Sequence, residues 1–287
     1  MDWEQVNKLV QPMQKIDSHQ HFWHYNTVKH EWINDAMAVI RKDFLPADLQ
    51  PVLQEHDIVG CIAIQADQTE TETDFLLTLQ KENDFIKGIV GWVDLRAKNI
   101  AERLEYYKKF NAIKGFRHVL QAEAPDFMLQ PEFLRGIASL NSFDFTYDIL
   151  IFPNHLPAAI TLVKQFPEQK FVIDHMAKPY IKAGLIGEWK CAMKNMAQYP
   201  NVYCKISGMV TEADHQLWKQ EDFTPYLDAV VEAFGTNRIM FGSDWPVCLV
   251  AASYDKMFRV VKNYFSSFSD TEQNNFFGNN AAAFYNL

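Results

Sequence analysis

Ile16-Asp17-Ser18-His19-Gln20-His21-Phe22-Trp23 is the stretch around which the fold is read. Ile16 to His21 alternates an apolar or small residue with a polar one after a polar leader, the pattern of a short first strand running into a loop. Side chains two apart on a strand point the same way, so His19 and His21 share a face. Two imidazoles side by side either clamp one transition metal or divide into one ligand and one proton-transfer group. A pair of solvated or hydrogen-bonded histidines would spell the same letters, and the pair alone does not choose.

A second stretch far along the chain, Ile239-Met240-Phe241-Gly242-Ser243-Asp244-Trp245-Pro246, adds weight. An apolar strand breaks at a glycine, an aspartate follows, and an aromatic and a proline stop the chain from continuing regularly. Asp244 therefore stands at a strand's C-terminal end. A turn or cap aspartate fits that spot too, but ligand-type side chains at strand tips near both ends of the chain favour a shared site.

The fold has to bring these tips together. With 287 residues, of which 48% are hydrophobic, the chain can bury a large core, as one α/β barrel or two smaller domains. No composition shift or Gly/Ser-rich linker marks a boundary, so one domain over residues 1–287 is expected. The formal charge of -9, from 27 Lys+Arg against 36 Asp+Glu, argues against nucleic acid as a partner. Met1 through Gln5 lacks the basic region and apolar run of a signal peptide. No segment approaches the roughly 18 consecutive apolar residues of a membrane span, so a membrane partner is not expected either. Cys61, Cys191, Cys204 and Cys248 are widely spaced, without the pairing of a zinc knuckle or a redox dithiol. They read as reduced, buried thiols of a cytoplasmic enzyme.

Short apolar runs suggest strands near Ile16 to His19, Val59 to Gln65, Ile86 to Val93, Ile113 to Phe116, Phe145 to Ile151, Lys170 to Asp174, Val202 to Lys205 and Ile239 to Phe241. They start roughly 25 to 45 residues apart, the length of a strand plus a crossover helix. The helical segments carry their own signals. Thr224 reads as an N-cap, Pro225 as first-turn proline, Leu227, Val230, Val231 and Phe234 as an apolar stripe, and Gly235 as the stop. Eight such units make an α/β fold, a (β/α)8 TIM barrel, whose active site lies at the C-terminal ends of the strands. Polar residues do gather there. Gln65 and Asp67 follow strand 2, Trp92 and Asp94 strand 3, and Arg117 and His118 strand 4. Asp148 lies in strand 5 with His155 beyond it, Asp174, His175 and Lys178 close strand 6, and Lys205 and Ser207 close strand 7.

Five motifs carry a family resemblance. They are Asp17-Ser18-His19-Gln20-His21-Phe22-Trp23, Gly115-Phe116-Arg117-His118, Asp174-His175-Met176-Ala177-Lys178-Pro179, Lys205-Ile206-Ser207-Gly208 and Phe241-Gly242-Ser243-Asp244-Trp245-Pro246. Covering the chain in order, they resemble the amidohydrolase superfamily, and within it the sugar-lactonase branch that holds L-fuconolactonase, L-rhamnonolactonase and 2-pyrone-4,6-dicarboxylate lactonase. The resemblance implies an amidohydrolase-type barrel with His19, His21, His175 and Asp244 around the reaction centre. It also implies one divalent metal ion, zinc, with metal-independent catalysis as the alternative. Two-metal members of the superfamily use a bridging lysine after strand 4. Arg117-His118 stands there instead, so a binuclear centre is not expected.

Lactone opening needs a nucleophilic water, a base for its proton, and positive charge or donors where the oxyanion forms. Asp244 is the candidate base. His175 belongs with it at the centre, and Arg117 and His118 are candidates for stabilising the oxyanion. His155 either replaces His175 as a ligand or donates to the leaving alkoxide. The structural alternatives are an Arg117 paired with a rim carboxylate and a His155 that caps the helix after it. Trp23, Trp32, Trp92 and Trp245 lie in or beside the mouth loops, where aromatic faces stack on sugar rings or pack in the core. With Gln65, His155 and Lys178 they make up the expected substrate contacts. The acidic net charge suits a neutral sugar lactone better than a dicarboxylate. Two other readings stay open, a metal-dependent decarboxylase of the same superfamily and a barrel that only binds a sugar or a metal. The oligomeric state and the particular sugar are not written in the sequence.

Overall fold

Eight short apolar runs become eight parallel strands: β1 (Lys15–Gln20), β2 (Ile58–Ile64), β3 (Ile86–Gly91), β4 (Ile113–His118), β5 (Thr146–Ile149), β6 (Phe171–Ile173), β7 (Val202–Ile206) and β8 (Ile239–Phe241). The computed structural model describes residues 14–287, and the leader Met1 through Gln5 lies outside them. Each strand pairs in parallel with the next in chain order. The ends of the sheet meet just beyond β8, where Asp244 N donates to His19 O at 2.8 Å and His21 N to Trp245 O at 2.7 Å. The result is a (β/α)8 barrel.

A helix follows every strand: α1 (Pro46–Glu55), α2 (Glu70–Glu82), α3 (Ile100–Tyr107), α4 (Pro131–Ser142), α5 (Leu156–Gln165), α6 (Gly187–Met196), α7 (Gln220–Phe234) and α8 (Tyr254–Phe265), with α9 (Asn280–Tyr285) last. Covered by helices outside and by one another inside, most of the strands are rich in apolar residues, β2 (IVGCIAI) and β8 (IMF) throughout. Helix α7 begins a turn before the expected Thr224 cap. The Asp222 carboxylate accepts from Lys219 N at 2.8 Å and caps the helix there, so Pro225 falls inside and removes one backbone bond near the start. Thr224 instead donates its hydroxyl to Gln220 O. Gly235 ends α7 as expected, at φ 65°.

The barrel interior has two storeys. At the N-terminal end Ile16, Ile62, Ile64, Val90, Val172 and Met240 pack on Phe284 and Tyr285 of α9. Above them the interior turns polar, with His19, Arg117, Asp148, Asp174 and Lys205 all buried. Strand β1 makes the switch through a bulge. Asp17 pairs with Cys61 and Gln20 with Ala63, so two residues of β1, Ser18 and His19, stand against Ile62 alone. A bulge reverses the alternation of its strand and re-aims side chains. Ile16 and His19 are an odd number of positions apart, yet both point inward.

Candidate metal and catalytic centre

His21 is oriented from behind. Its Nδ1 lies 2.9 Å from Ile64 O; a carbonyl only accepts, so Nδ1 carries the proton and the lone pair sits on Nε2. His19 is held the same way by a carboxylate, with Nδ1 3.2 Å from Asp174 Oδ1. The two Nε2 atoms then face each other at 3.2 Å. Asp244 Oδ1 stands 3.5 Å from His21 Nε2 and 3.9 Å from the Nε2 atoms of both His19 and His175. His175 is braced through Nδ1 by Ser207 Oγ at 2.9 Å.

The Nε2 lone pairs of His19 and His21 and the Asp244 carboxylate offer no hydrogen to one another, and electron-rich atoms so placed repel unless a cation joins them. Ligands about 2.0–2.2 Å from a tetrahedral zinc lie about 3.3–3.6 Å apart, close to the spacing found here. The donor set, two to three imidazoles and a carboxylate, is one that zinc takes, and His19, His21 and Asp244 form one such group while His19, Asp174 and His175 form another. Burial pushes the His19 and His175 imidazoles well below their ordinary pKa, against the pull of Asp174 and Asp244 respectively, so both are neutral, as ligation requires. Burial draws the Asp244 carboxyl upward, but its polar surroundings, with the Lys178 cation among them, outweigh it and hold it below its usual value. It is ionised at neutral pH.

Backbone geometry aims these groups. His175, Met176, Ala177 and Lys178 all have left-handed φ, from 50° to 57°, and Asp244 has φ 57°. Each such non-glycine residue costs on the order of 1–2 kcal/mol, and strain of this kind collects at functional sites. Gly208 leaves room for His175, since a Cβ there would lie 2.6 Å from His175 Nδ1; a Cβ on Gly242 would lie 2.7 Å from the Cβ of His19.

Arg117 lies against the same centre. Its Nη1 is 3.1 Å from Asp174 Oδ2 and 3.4 Å from His19 Nε2, while Nη2 donates to the Gln65 backbone and side-chain oxygens. Its partner is thus an interior carboxylate, not a rim one. Lys205 is fully buried beneath, on Asp148 and Asp174.

His21, Arg117, His175 and Asp244 line a cavity of about 500 Å³ that opens at the C-terminal ends of the strands. Trp23, Trp32 and Lys178 line it as well, with Met37, Val119, Leu150, Val247 and Val250 as apolar wall. Trp32 is 40% exposed and meets the buried Trp23 edge-on. The other expected site residues fall elsewhere. His118 follows Arg117 directly, and alternation turns it outward, where Trp92 Nε1 donates to its Nδ1, Glu123 faces its Nε2 and Phe127 stacks on it; it is not with the reacting groups, and neither is Trp92. His155 is buried with Nε2 on the Glu123 carbonyl, and it belongs neither to the clustered ligand-type groups nor to the cavity lining. Trp245 is core, edge-on to Phe22 and Phe44. Gln65 is fully buried and buckles Arg117 rather than meeting the cavity. Asp174, Asp148, Lys205 and Ser207 stood among the strand-tip residues without a role; only their partners across the barrel reveal one.

Residues 16–287 match the amidohydrolase family. The chain belongs to that family. Among its relatives, an L-fucono-1,5-lactonase of Burkholderia multivorans is 38% identical over an alignment that covers 95% of this chain and 96% of the relative. An L-fucono-1,5-lactonase of Burkholderia ambifaria is 35% identical over 84% of this chain and 83% of its own. The crystal structure of an amidohydrolase from Burkholderia multivorans with bound zinc superposes with a TM-score of 0.92 at 39% identity, over 95% of this chain and 99% of that one. Family membership accounts for the barrel and for the strand-tip motifs along it.

Proposed function

We propose that this protein is a carboxylic ester hydrolase that opens a sugar lactone, L-fucono-1,5-lactone or a close analogue, to the aldonic acid. The observation that carries the reading is the convergence of His21, His175 and an ionised Asp244 on one cavity, with His19 directly behind them, in a chain so similar to lactonases of that specificity. These four residues would hold one divalent ion, zinc, which supplies Lewis acidity to the lactone carbonyl. The Arg117 cation, 3.4 Å from His19 Nε2, disfavours a second ion beside the first.

Asp244 takes the proton of the attacking water and returns it to the ring oxygen as the ester bond breaks. Arg117 presents positive charge where the carbonyl oxygen becomes an oxyanion. Trp23 and Trp32 offer the aromatic wall that a sugar ring stacks on. A neutral substrate fits the charges: Lys29 faces Asp67 at 3.5 Å, Lys178 faces Glu212 at 3.3 Å and Arg117 faces Asp174, so each of these cavity cations already has a carboxylate. The free thiols of Cys61, Cys191, Cys204 and Cys248, of which Cys191 is exposed, support a cytoplasmic setting.

A pH-indicator screen over a panel of sugar lactones, run on the purified protein, after chelation and after zinc addition, tests the reading. Acid release from a 6-deoxy sugar lactone, lost on chelation and restored by zinc, is expected. Failure to open any lactone, or release of carbon dioxide from a hydroxylated aromatic acid, would overturn it.

A further inference from the structure

We infer that Tyr285, on the last helix at the closed end of the barrel, is a positioning residue for His19, acting through Asp148, Lys205 and Asp174. The inference deepens the proposed metal centre and rests on that reading. Tyr285 is remote from the cavity mouth, yet its hydroxyl donates to Asp148 Oδ2 at 2.9 Å and its ring lies 5.4 Å from the Lys205 ammonium. Lys205 Nζ contacts the same Asp148 oxygen, stands 3.0 Å from Asp174 Oδ1, and is 3.4 Å from His19 Nδ1. All of these side chains are buried, so no bulk water competes for the bonds.

The geometry sets up a choice at one atom. Asp174 Oδ1 receives both the Lys205 ammonium and, at 3.2 Å, the His19 ring. While His19 gives its Nδ1 proton to Asp174, its lone pair is on Nε2, toward His21 and Asp244. An ammonium that moved a few tenths of an ångström toward His19 would donate to Nδ1 instead. The ring proton would then reside on Nε2, and the atom that faces the other ligands would no longer be able to bind a metal. What holds Lys205 back is Asp148. That carboxylate is itself incompletely held, for its Oδ1 is buried without a partner and its Oδ2 carries the bonds from Lys205 and Tyr285. Without the tyrosine hydroxyl, Lys205 is the donor left on Asp148 Oδ2, and the pair is freed to shift toward His19.

Tyr285→Phe isolates the claim, because it keeps the ring over Lys205 and removes only the hydroxyl. Two measurements read it: zinc affinity of the metal-stripped protein by competition with a chelator, and the ring-nitrogen NMR signals of His19 without metal. Expected are a melting temperature near that of the wild type, zinc binding weakened about tenfold as for other residues behind a ligand, and a shift of His19 toward the Nε2-protonated form. Asp148→Asn should shift both readouts the same way and further. Unchanged zinc affinity and unchanged His19 signals in a folded Tyr285→Phe protein would overturn the inference. If the wild type binds no zinc, the metal reading falls, and the His19 signals alone still decide whether Tyr285 sets the tautomer.

Discussion

The two storeys of the barrel interior are built on the same eight strands and differ in what each side chain requires of its neighbours. In the lower one Ile62, Ile64, Val90, Val172 and Met240 need only volume and dryness. In the upper one each group needs a particular partner at a particular atom: Asp174 for His19 Nδ1, Ile64 O for His21, Ser207 for His175 and Asp148 for Lys205. Apolar packing is non-directional, and errors are shared among many contacts. A buried polar group has few partners, and losing one leaves a whole charge or donor uncompensated. Stability should therefore be spread through the lower storey, and function concentrated in the upper.

Asp244→Asn should break the comparison most sharply. The amide is nearly isosteric but accepts no proton, so kcat should fall roughly 10²- to 10⁴-fold with little change in melting temperature. Near-normal turnover by the folded variant would remove Asp244 from the chemistry.

Arg117 should come next. Arg117→Lys keeps the charge but loses the fork that joins Asp174 to Gln65, and Arg117→Met loses both. Losses in kcat/KM of about 10²-fold or more are expected, the methionine variant being worse. Because Asp174 is left with less compensation, the melting temperature should drop too. Normal kcat/KM with only a lowered melting point would make Arg117 a structural residue.

Glu72 sharpens the contrast with a buried acid in which burial outweighs the pull of the Lys29 cation. Burial pushes its carboxyl up to about 7, although Ala66 N donates to it at 3.1 Å. The folded pKa lies above the ordinary 4.5, so its contribution to stability is complete below about pH 4.5 and is lost as pH rises through about 7. Glu72→Gln should therefore gain on the wild type over that window, by up to about 3 kcal/mol. Denaturant titrations at pH 4.5 and 8 would measure it, and parallel pH curves for the two proteins would contradict it.

The smallest effect belongs to the lower storey. Ile62→Val removes one buried methylene and should cost about 0.5–1.5 kcal/mol, with kcat/KM per folded molecule unchanged. A catalytic defect there would mean that the storeys are not separable.

All eight strands were legible, because a strand covered on both faces keeps a core of apolar residues even where its tip turns polar. His19, His21, Arg117, His175 and Asp244 were legible as polar residues at strand tips, where an apolar pattern gives no reason for them. His118 follows Arg117 in sequence yet stands away from the centre, because a strand turns neighbours to opposite faces. His155, Trp92 and Trp245 look like mouth residues as letters, and only the tertiary structure places them outside the cavity lining, beside the Glu123 carbonyl, His118 and the Phe22–Phe44 pair.

By itself, then, the order of apolar runs and polar tips determined a barrel with a reaction centre at one end, since periodicity and burial are properties a chain carries locally. The tertiary structure alone decided which nitrogen of His19 and of His21 faces the centre, that a bulge in β1 turns His19 inward, and that Lys205 and Tyr285 stand behind it. Those outcomes depend on distances between atoms up to hundreds of residues apart in the chain, and a hydrogen bond is fixed by distance and direction, which no spacing along a sequence encodes.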